Sequence, residues 1–379
     1  MRGSIVKRGK TYSLVYRAPD PKTGVSRQVW KGGYPTHRSA EKALKDIVSH
    51  LDAGTYTAPT KSTIGQFLTG QWLPAIATTV RPNTASLYKT NIDAYIIPNL
   101  GGTQLRALVP SQLNVLYAEL LDHGRRDGRG LSTRSVRIVH TTVHRALRDA
   151  VRWGLVSRNV ADLADPPRDG SPEKTAWTAE QVTAFLALTE KDRLSALWRL
   201  AAATGMRRGE LLGLRWSDVN LDASSITVRQ NLVLVDHKRV YSEPKSAAGR
   251  RTISIDVETV AVLRAHRARQ AAERLAWGAA WTDTGLLFGL EDGNPLHPET
   301  VTKCFDRLRR AGGLPAMSFH GLRHSHATAL LRAGVPIRVV SQRLGHASVA
   351  VTLGIYAHVL PGDDEAAASA WGRISSVSK

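Results

Sequence analysis

The feature that most constrains this chain is a run with no periodicity, Ala164-Asp-Pro-Pro-Arg-Asp-Gly-Ser-Pro172. Proline fixes φ and removes a backbone donor, so clustered prolines beside Gly and Asp permit neither a continuous helix nor a ladder. The chain on either side must bury its own core, and 379 residues suffice for two or three domains. A second stretch rich in Gly, Thr and Pro, Ala53 to Lys61, makes another cut. The expected domains are therefore 1–56, 62–163 and 174–379.

In the first segment, Thr11 to Arg17 and Val25 to Lys31 alternate around turn chemistry at Asp20-Pro-Lys-Thr-Gly24, which predicts a hairpin, with Ser4 to Lys7 as a third strand. Thr36 can cap a helix whose Ala40, Leu44, Ile47, Val48 and Leu51 share one face. The helix covers one side of the sheet and leaves the other free. Arg27 and Lys31 fall on one face with Val25 and Val29, and an uncovered basic sheet face suits a DNA groove. A solvated charged face explains the same pattern equally well.

From Thr63 to about Asn159 the spacing is helical, with segments around Phe67 to Leu73, Thr84 to Tyr95, Pro110 to Leu121 and Ser132 to Trp153. The last sets Arg134, Arg137, Arg145, Arg148 and Arg152 beside Val136, Val139, Val143 and Leu147. A half-clamp on a duplex would look like this, and so would a face kept basic for solubility. Over the whole chain 52 Lys+Arg against 32 Asp+Glu leave a net charge of +20. The charge is spread along the sequence and not gathered beside an apolar span, which favours nucleic acid over a membrane surface as partner. The single cysteine, Cys304, allows no internal disulfide, and the charged start, Met1 to Lys10, does not resemble a secretion signal, so a cytoplasmic protein is expected.

The last segment opens on a capping box, Thr178-Ala-Glu-Gln181. A buried helix from Trp198 runs to Thr204-Gly205, and the next begins at Met206-Arg-Arg-Gly-Glu210. Arg207 then lies in a first helical turn, where free N–H groups favour an anion, and Glu210 three residues on can hold its guanidinium. Strands at Ile226 to Arg229, Val233 to Val235 and Arg251 to Ile255 read as one short antiparallel sheet, with Lys245 in the loop before the last. Then come Ser318-Phe-His-Gly-Leu-Arg-His-Ser-His326, Arg343-Leu-Gly-His346 and Gly354-Ile-Tyr-Ala-His358. Gly334, Pro336, Gly345 and Ser348 punctuate short helices between them. Zinc is disfavoured for His320, His324 and His326, because no Cys is near and no His-Glu-x-x-His pattern occurs.

Taken singly, each of these residues has a commonplace structural explanation; as an ordered set they suit phosphodiester chemistry. Two arginines can clamp phosphate oxygens, a tyrosine in a cationic site can attack as phenolate, and a lysine or histidine can protonate the leaving hydroxyl. The set Arg207, Glu210, Lys245, His320-x-x-Arg323, Leu344-Gly-His346 and Tyr356 resembles the tyrosine recombinase (phage integrase) family over Thr178 to about Pro361.

That resemblance implies a multidomain fold: an N-terminal three-stranded sheet plus helix, an all-α SAM-like core-binding bundle, and a mainly α catalytic domain with a short antiparallel sheet, as in type IB topoisomerases. It implies that Tyr356 forms a 3′-phosphotyrosyl link, that Arg207 and Arg323 clamp the phosphate, and that Lys245 protonates the 5′-hydroxyl. His320 would assist proton transfer, His346 would donate a hydrogen bond to the phosphate, and Glu210 would support Arg207. Arg208 adjoins Arg207, Arg250 and Arg251 are placed to share the role of Lys245, and Gly354 stands where the family carries a bulkier polar residue. The expected partners are double-stranded DNA with core and arm sites, a homotetramer on that DNA, a host DNA-bending protein and an excisionase or directionality factor, with no cofactor and no membrane. The acidic, Ala-rich segment Asp363 to Trp371 would pack on a neighbouring protomer. A Xer-like resolvase, and a non-catalytic regulator using Ala333 to Leu344 as part of a helix-turn-helix, are the alternatives.

Overall fold

A computed structural model describes residues 3–19, 25–52, 62–168, 170, 176–235, 238–244, 247–357, 368–369 and 371–373. Two units divide the chain, Met1–Pro172 and Glu173–Lys379.

In the first unit β1 (Gly3–Arg8), β2 (Thr11–Pro19) and β3 (Ser26–Tyr34) form an antiparallel sheet in that order. Helix α1 (His37–Asp52) lays Ala40 and Leu44 over Leu14, Tyr16 and Ala18, as its spacing predicts. The register corrects the expected placement of charge. Directly paired residues share a face, and Lys31 pairs with Leu14 while Arg27 pairs with Ala18. Both basic residues thus sit on the helix side, exposed because β3 is an edge. By alternation the uncovered face carries Arg8, Arg17 and Trp30 instead, the Arg8 guanidinium standing 4.6 Å from the centre of the Trp30 ring. The turn expected at Asp20 to Gly24 lies outside the described residues.

Helical runs α2 (64–76) and α3 (82–100) each contain a π turn, Leu68–Trp72 and Ile92–Ile96. Each π turn stands just before a proline, Pro74 or Pro98. A proline ring clashes with the carbonyl four residues back, and a wider turn relieves the clash. The Leu73 N–H accordingly bonds to the Leu68 oxygen, and the Ile97 N–H to the Ile92 oxygen. This is why α3 continues past Tyr95, where the sequence spacing ends it. Helices α4 (Pro110–His123) and α5 (Thr133–Arg152) complete the bundle. Beside the predicted apolar stripe α5 buries Asp149, which accepts from Trp72 Nε1 at 2.9 Å and pairs with Arg145 and Arg152. Two of the five arginines are thereby paired with a buried carboxylate of their own helix.

The second unit starts with the predicted capping box, in which Thr178 and Gln181 exchange side-chain and backbone bonds at 3.0 and 3.3 Å. Helices α6 (Ala179–Leu188) and α7 (Ser195–Thr204) pack Phe185 and Trp198 with Trp177, Phe305 and Phe319 into one aromatic core. The short helix α8 (Arg208–Gly213) follows. Strands β4 (Val219–Asn220), β5 (Ser225–Val228) and β8 (Arg251–Ser254) form one antiparallel sheet, while β6 (Asn231–Val235) and β7 (Lys238–Ser242) form a separate ribbon. This departs from the single sheet expected: β6 leaves β5 to lie on α8, where Gln230 Nε2 bonds to the Gly213 oxygen at 2.6 Å. Helices α9 (Val257–Trp277) and α10 (Pro298–Ala311) cover this core. Three short helices close the unit: α11 (Gly321–Arg332), α12 (Ile337–Leu344) and α13 (Val349–Tyr356). Gly334 and Gly345 take positive φ at the breaks, as expected. Ser348 occupies the N-cap of α13 by backbone conformation, without a capping side-chain bond. Among the described residues no helix is long and apolar enough to cross a membrane.

Candidate active site

Arg207 is the N-cap of α8, one position before the first turn in which it was expected. Its backbone N–H donates to Glu210 Oε2 at 3.0 Å, its Nη1 to Glu210 Oε1 at 2.7 Å and its Nη2 to the Gly345 oxygen at 3.4 Å. Arg208 turns the other way, to Pro298 and Thr302 on α10. One arginine of this adjacent pair thus joins the Glu210 cluster and the other braces a helix.

Glu210 also accepts from Arg251 Nη2 at 2.9 Å, so one buried carboxylate holds two guanidiniums. Burial works against its ionisation, but Arg251, Arg207 and their hydrogen bonds outweigh it and keep the carboxyl below its ordinary range. Arg251 also donates Nε to the Arg343 oxygen at 2.6 Å, and its side chain is only 7% exposed. Arg250 points outward to Glu243. Lys245 lies outside the described residues.

Arg323, on α11, is 3% exposed and donates to the Gly205 oxygen at 2.8 Å and the Leu344 oxygen at 2.7 Å. Burial, with the neighbouring Arg207, pulls its pKa down to about 9, so it remains a cation at neutral pH. Those two carbonyls, with that of Gly345, bring the α7–α8 and α12–α13 junctions to the same arginine pair. Gly345 needs its left-handed φ of 68°, and a Cβ there would also stand 2.8 Å from Arg251 Nη1 and 2.9 Å from the Ala248 oxygen. His346 follows directly and shares a 2.7 Å hydrogen bond between Nδ1 and Thr352 Oγ1. Burial and then Arg323, Arg207 and Arg251 depress its pKa to about 4, which leaves a neutral ring at physiological pH.

Tyr356 ends α13 and is 2% exposed among Ala327, Leu331, Val340 and Leu344. The cationic surroundings were expected to favour the phenolate. Instead burial dominates the pull of Arg323 and raises the phenol to about 12. The hydroxyl lies 2.8 Å from His324 Nδ1. His320 is exposed at the N-cap of α11, its ring centroid 5.1 Å from that of His324 and nearly perpendicular to it. Gly354 faces open space, so the small residue there removes no packing contact. His326 accepts from Arg343 Nε at 3.1 Å and braces the core beneath.

The structure therefore gathers Arg207, Glu210, Arg323 and His346 around two loop junctions and puts Tyr356 beside the same helix. Sequence reasoning weighed Arg251 only as a stand-in for Lys245, and His324 only as a metal ligand. The signal for His324 was present: four residues after His320 it must share a helix face with it.

Residues 176–362 match the phage integrase family, residues 4–51 an arm DNA-binding domain, and residues 63–121 a phage integrase N-terminal SAM-like domain. An integrase of Streptomyces ambofaciens is 31% identical over 87% of this chain and 85% of its own. A tyrosine recombinase described as XerC-like, from Caldanaerobacter subterraneus subsp. tengcongensis, is 26% identical over 94% of each chain. The fold is similar to that of the Tn1549 transposon integrase in complex with a circular intermediate DNA, with a TM-score of 0.68, 20% identity, and coverage of 83% of this chain and 99% of that one. The chain belongs to the phage integrase family of tyrosine-type site-specific recombinases.

Proposed function

We propose that this recombinase integrates a mobile element by cleaving and rejoining DNA through a 3′-phosphotyrosyl link on Tyr356. The observation that carries the reading is the joint anchoring of Arg207 and Arg323 on the carbonyls of Gly345 and Leu344, next to His346. Two guanidiniums held this way span the non-bridging oxygens of one phosphate and stabilise the charge that builds up during attack. His346, neutral, donates to the same phosphate, and Glu210 holds Arg207 and Arg251 in place. Lys245 serves as acid to the 5′-hydroxyl, with His320 assisting.

In this reading residues 1–56 bind arm-type sites, 62–163 grip the core site and 174–379 carry the chemistry. The assembly is a homotetramer on double-stranded DNA, aided by a host DNA-bending protein and, for excision, a directionality factor. The arm-domain match at residues 4–51 supports an integrase over a Xer-like resolvase.

A nicked suicide substrate bearing the core site tests the chemistry. Wild type should accumulate a covalent protein–DNA adduct and Tyr356→Phe none. An adduct from the Phe variant, or none from wild type, would overturn the assignment.

A further inference from the structure

His324 has no part in the chemistry above, yet its Nδ1 lies 2.8 Å from the Tyr356 hydroxyl, and the two side chains belong to different helices, α11 and α13. Both are buried, at 6% and 2% exposure, and the Tyr356 side chain packs among Ala327, Leu331, Val340 and Leu344. On the footing that Tyr356 is the nucleophile, we propose that His324 is the general base that takes its proton during attack on the phosphate.

With the ring proton on Nε2, Nδ1 accepts from the phenol. As the tyrosine oxygen bonds to phosphorus, its proton passes to Nδ1. The bond from phosphorus to the 5′ oxygen breaks, that oxygen keeps the electron pair, and it takes a proton from the acid. The imidazolium then loses a proton outward, and the exposed His320 ring beside it gives a path to solvent. Reversal of the same steps returns the proton to Tyr356 on religation, so nothing is oxidised or consumed.

A base is called for because burial raises the phenol to about 12, which makes spontaneous phenolate scarce at neutral pH. Placement also favours His324: it directly follows Arg323 on α11, so the helix that presents the phosphate clamp presents the acceptor as well.

The test compares wild type, Tyr356→Phe, Lys245→Ala and His324→Asn on two nicked substrates. One is ordinary DNA, and the other carries sulfur in place of the 5′ bridging oxygen at the cleavage site. Sulfur departs as a thiolate and needs no acid, so it should restore Lys245→Ala. Asparagine keeps an oxygen acceptor for the phenol but cannot hold a proton, which separates proton uptake from mere positioning. His324→Asn should bind DNA and form adduct about 10²–10⁴-fold more slowly on both substrates. Adduct at the wild-type rate, or restoration by sulfur, overturns the base. If that variant fails to bind DNA, the wild-type rate on the sulfur substrate decides. A rate that rises with pH and levels off above the histidine range supports the assignment, and one that climbs on without levelling overturns it. The titratable and charged neighbours in that profile are His320 and Arg323 on α11, His346 at the α12–α13 junction and Tyr356 on α13. Absence of adduct from wild type on either substrate overturns the nucleophile itself, and His324 with it; equal adduct from wild type and His324→Asn overturns only the base.

Discussion

Glu210 joins two of the cations gathered at the site through one carboxylate. Its two oxygens face two guanidiniums, one half-exposed and one buried, and both depend on it for orientation. Glu210→Ala leaves the buried Arg251 charge without its partner and should cost about 3–5 kcal/mol in urea unfolding of the full chain. The double variant with Arg251→Met should lose less than the two single losses added together, because the unpaired charge is gone. The pH dependence has a definite sign. A carboxyl whose folded pKa is depressed stabilises the fold above its ordinary value of 4.5, and loses that contribution as the pH falls through the lower folded value. Its link to Arg207 was legible from the three-residue spacing on a helix. Its link to Arg251 was not, because that contact depends on β8 arriving from 41 residues away in sequence. The same holds for Tyr356 and His324: each residue type stood out, but their meeting depends on how α13 packs.

The junction of α8 with β6 shows what patterning leaves unsaid about elements. Alternation marked β5, β6 and β8 as strands, and nothing in alternation says which strand pairs with which. What Gly209, inside the Arg-Arg-Gly-Glu run, permits is the close approach of β6 to α8. An added Cβ there would stand 2.0 Å from Asn231 Oδ1 and 2.6 Å from the Leu232 oxygen, so only a bare backbone lets β6 lie so close. Gly209→Ala should therefore push the ribbon off α8, costing about 1–3 kcal/mol in stability and slowing adduct formation through the displaced Arg207. A melting temperature and adduct rate equal to wild type would count against this account. The π turns teach a similar lesson. Pro74 and Pro98 are each accommodated by one widened turn, which is why the observed helices outrun those read from spacing.

Over the whole molecule the charge of +20 belongs to every part, yet the basic residues do different work in each. On the N-terminal sheet the register moves Arg27 and Lys31 to the covered side and leaves Arg8 and Trp30 on the open one. In the bundle, Arg145 and Arg152 serve the buried Asp149. Composition alone could not distinguish structural cations from those left for DNA. If the first segment binds a separate DNA site, deleting residues 1–56 should preserve cleavage of the core-site suicide substrate and abolish integration, scored on a plasmid pair. Unimpaired integration by the shortened chain would remove the need for a second site.

The oxygens that anchor Arg323 and Arg207 belong to the main chain at positions 205, 344 and 345. Every residue type supplies that oxygen, so the acceptor at 344 survives a change of side chain, whereas 205 and 345 must stay glycine, because both take a left-handed φ and leave no room for a Cβ. The arginine pair thus takes much of its geometry from the path of the chain, with the Glu210 side chain also holding Arg207. A protein engineer can therefore recode the surrounding surface for a new target sequence without moving Arg207 and Arg323, provided Glu210 and the two turns are kept.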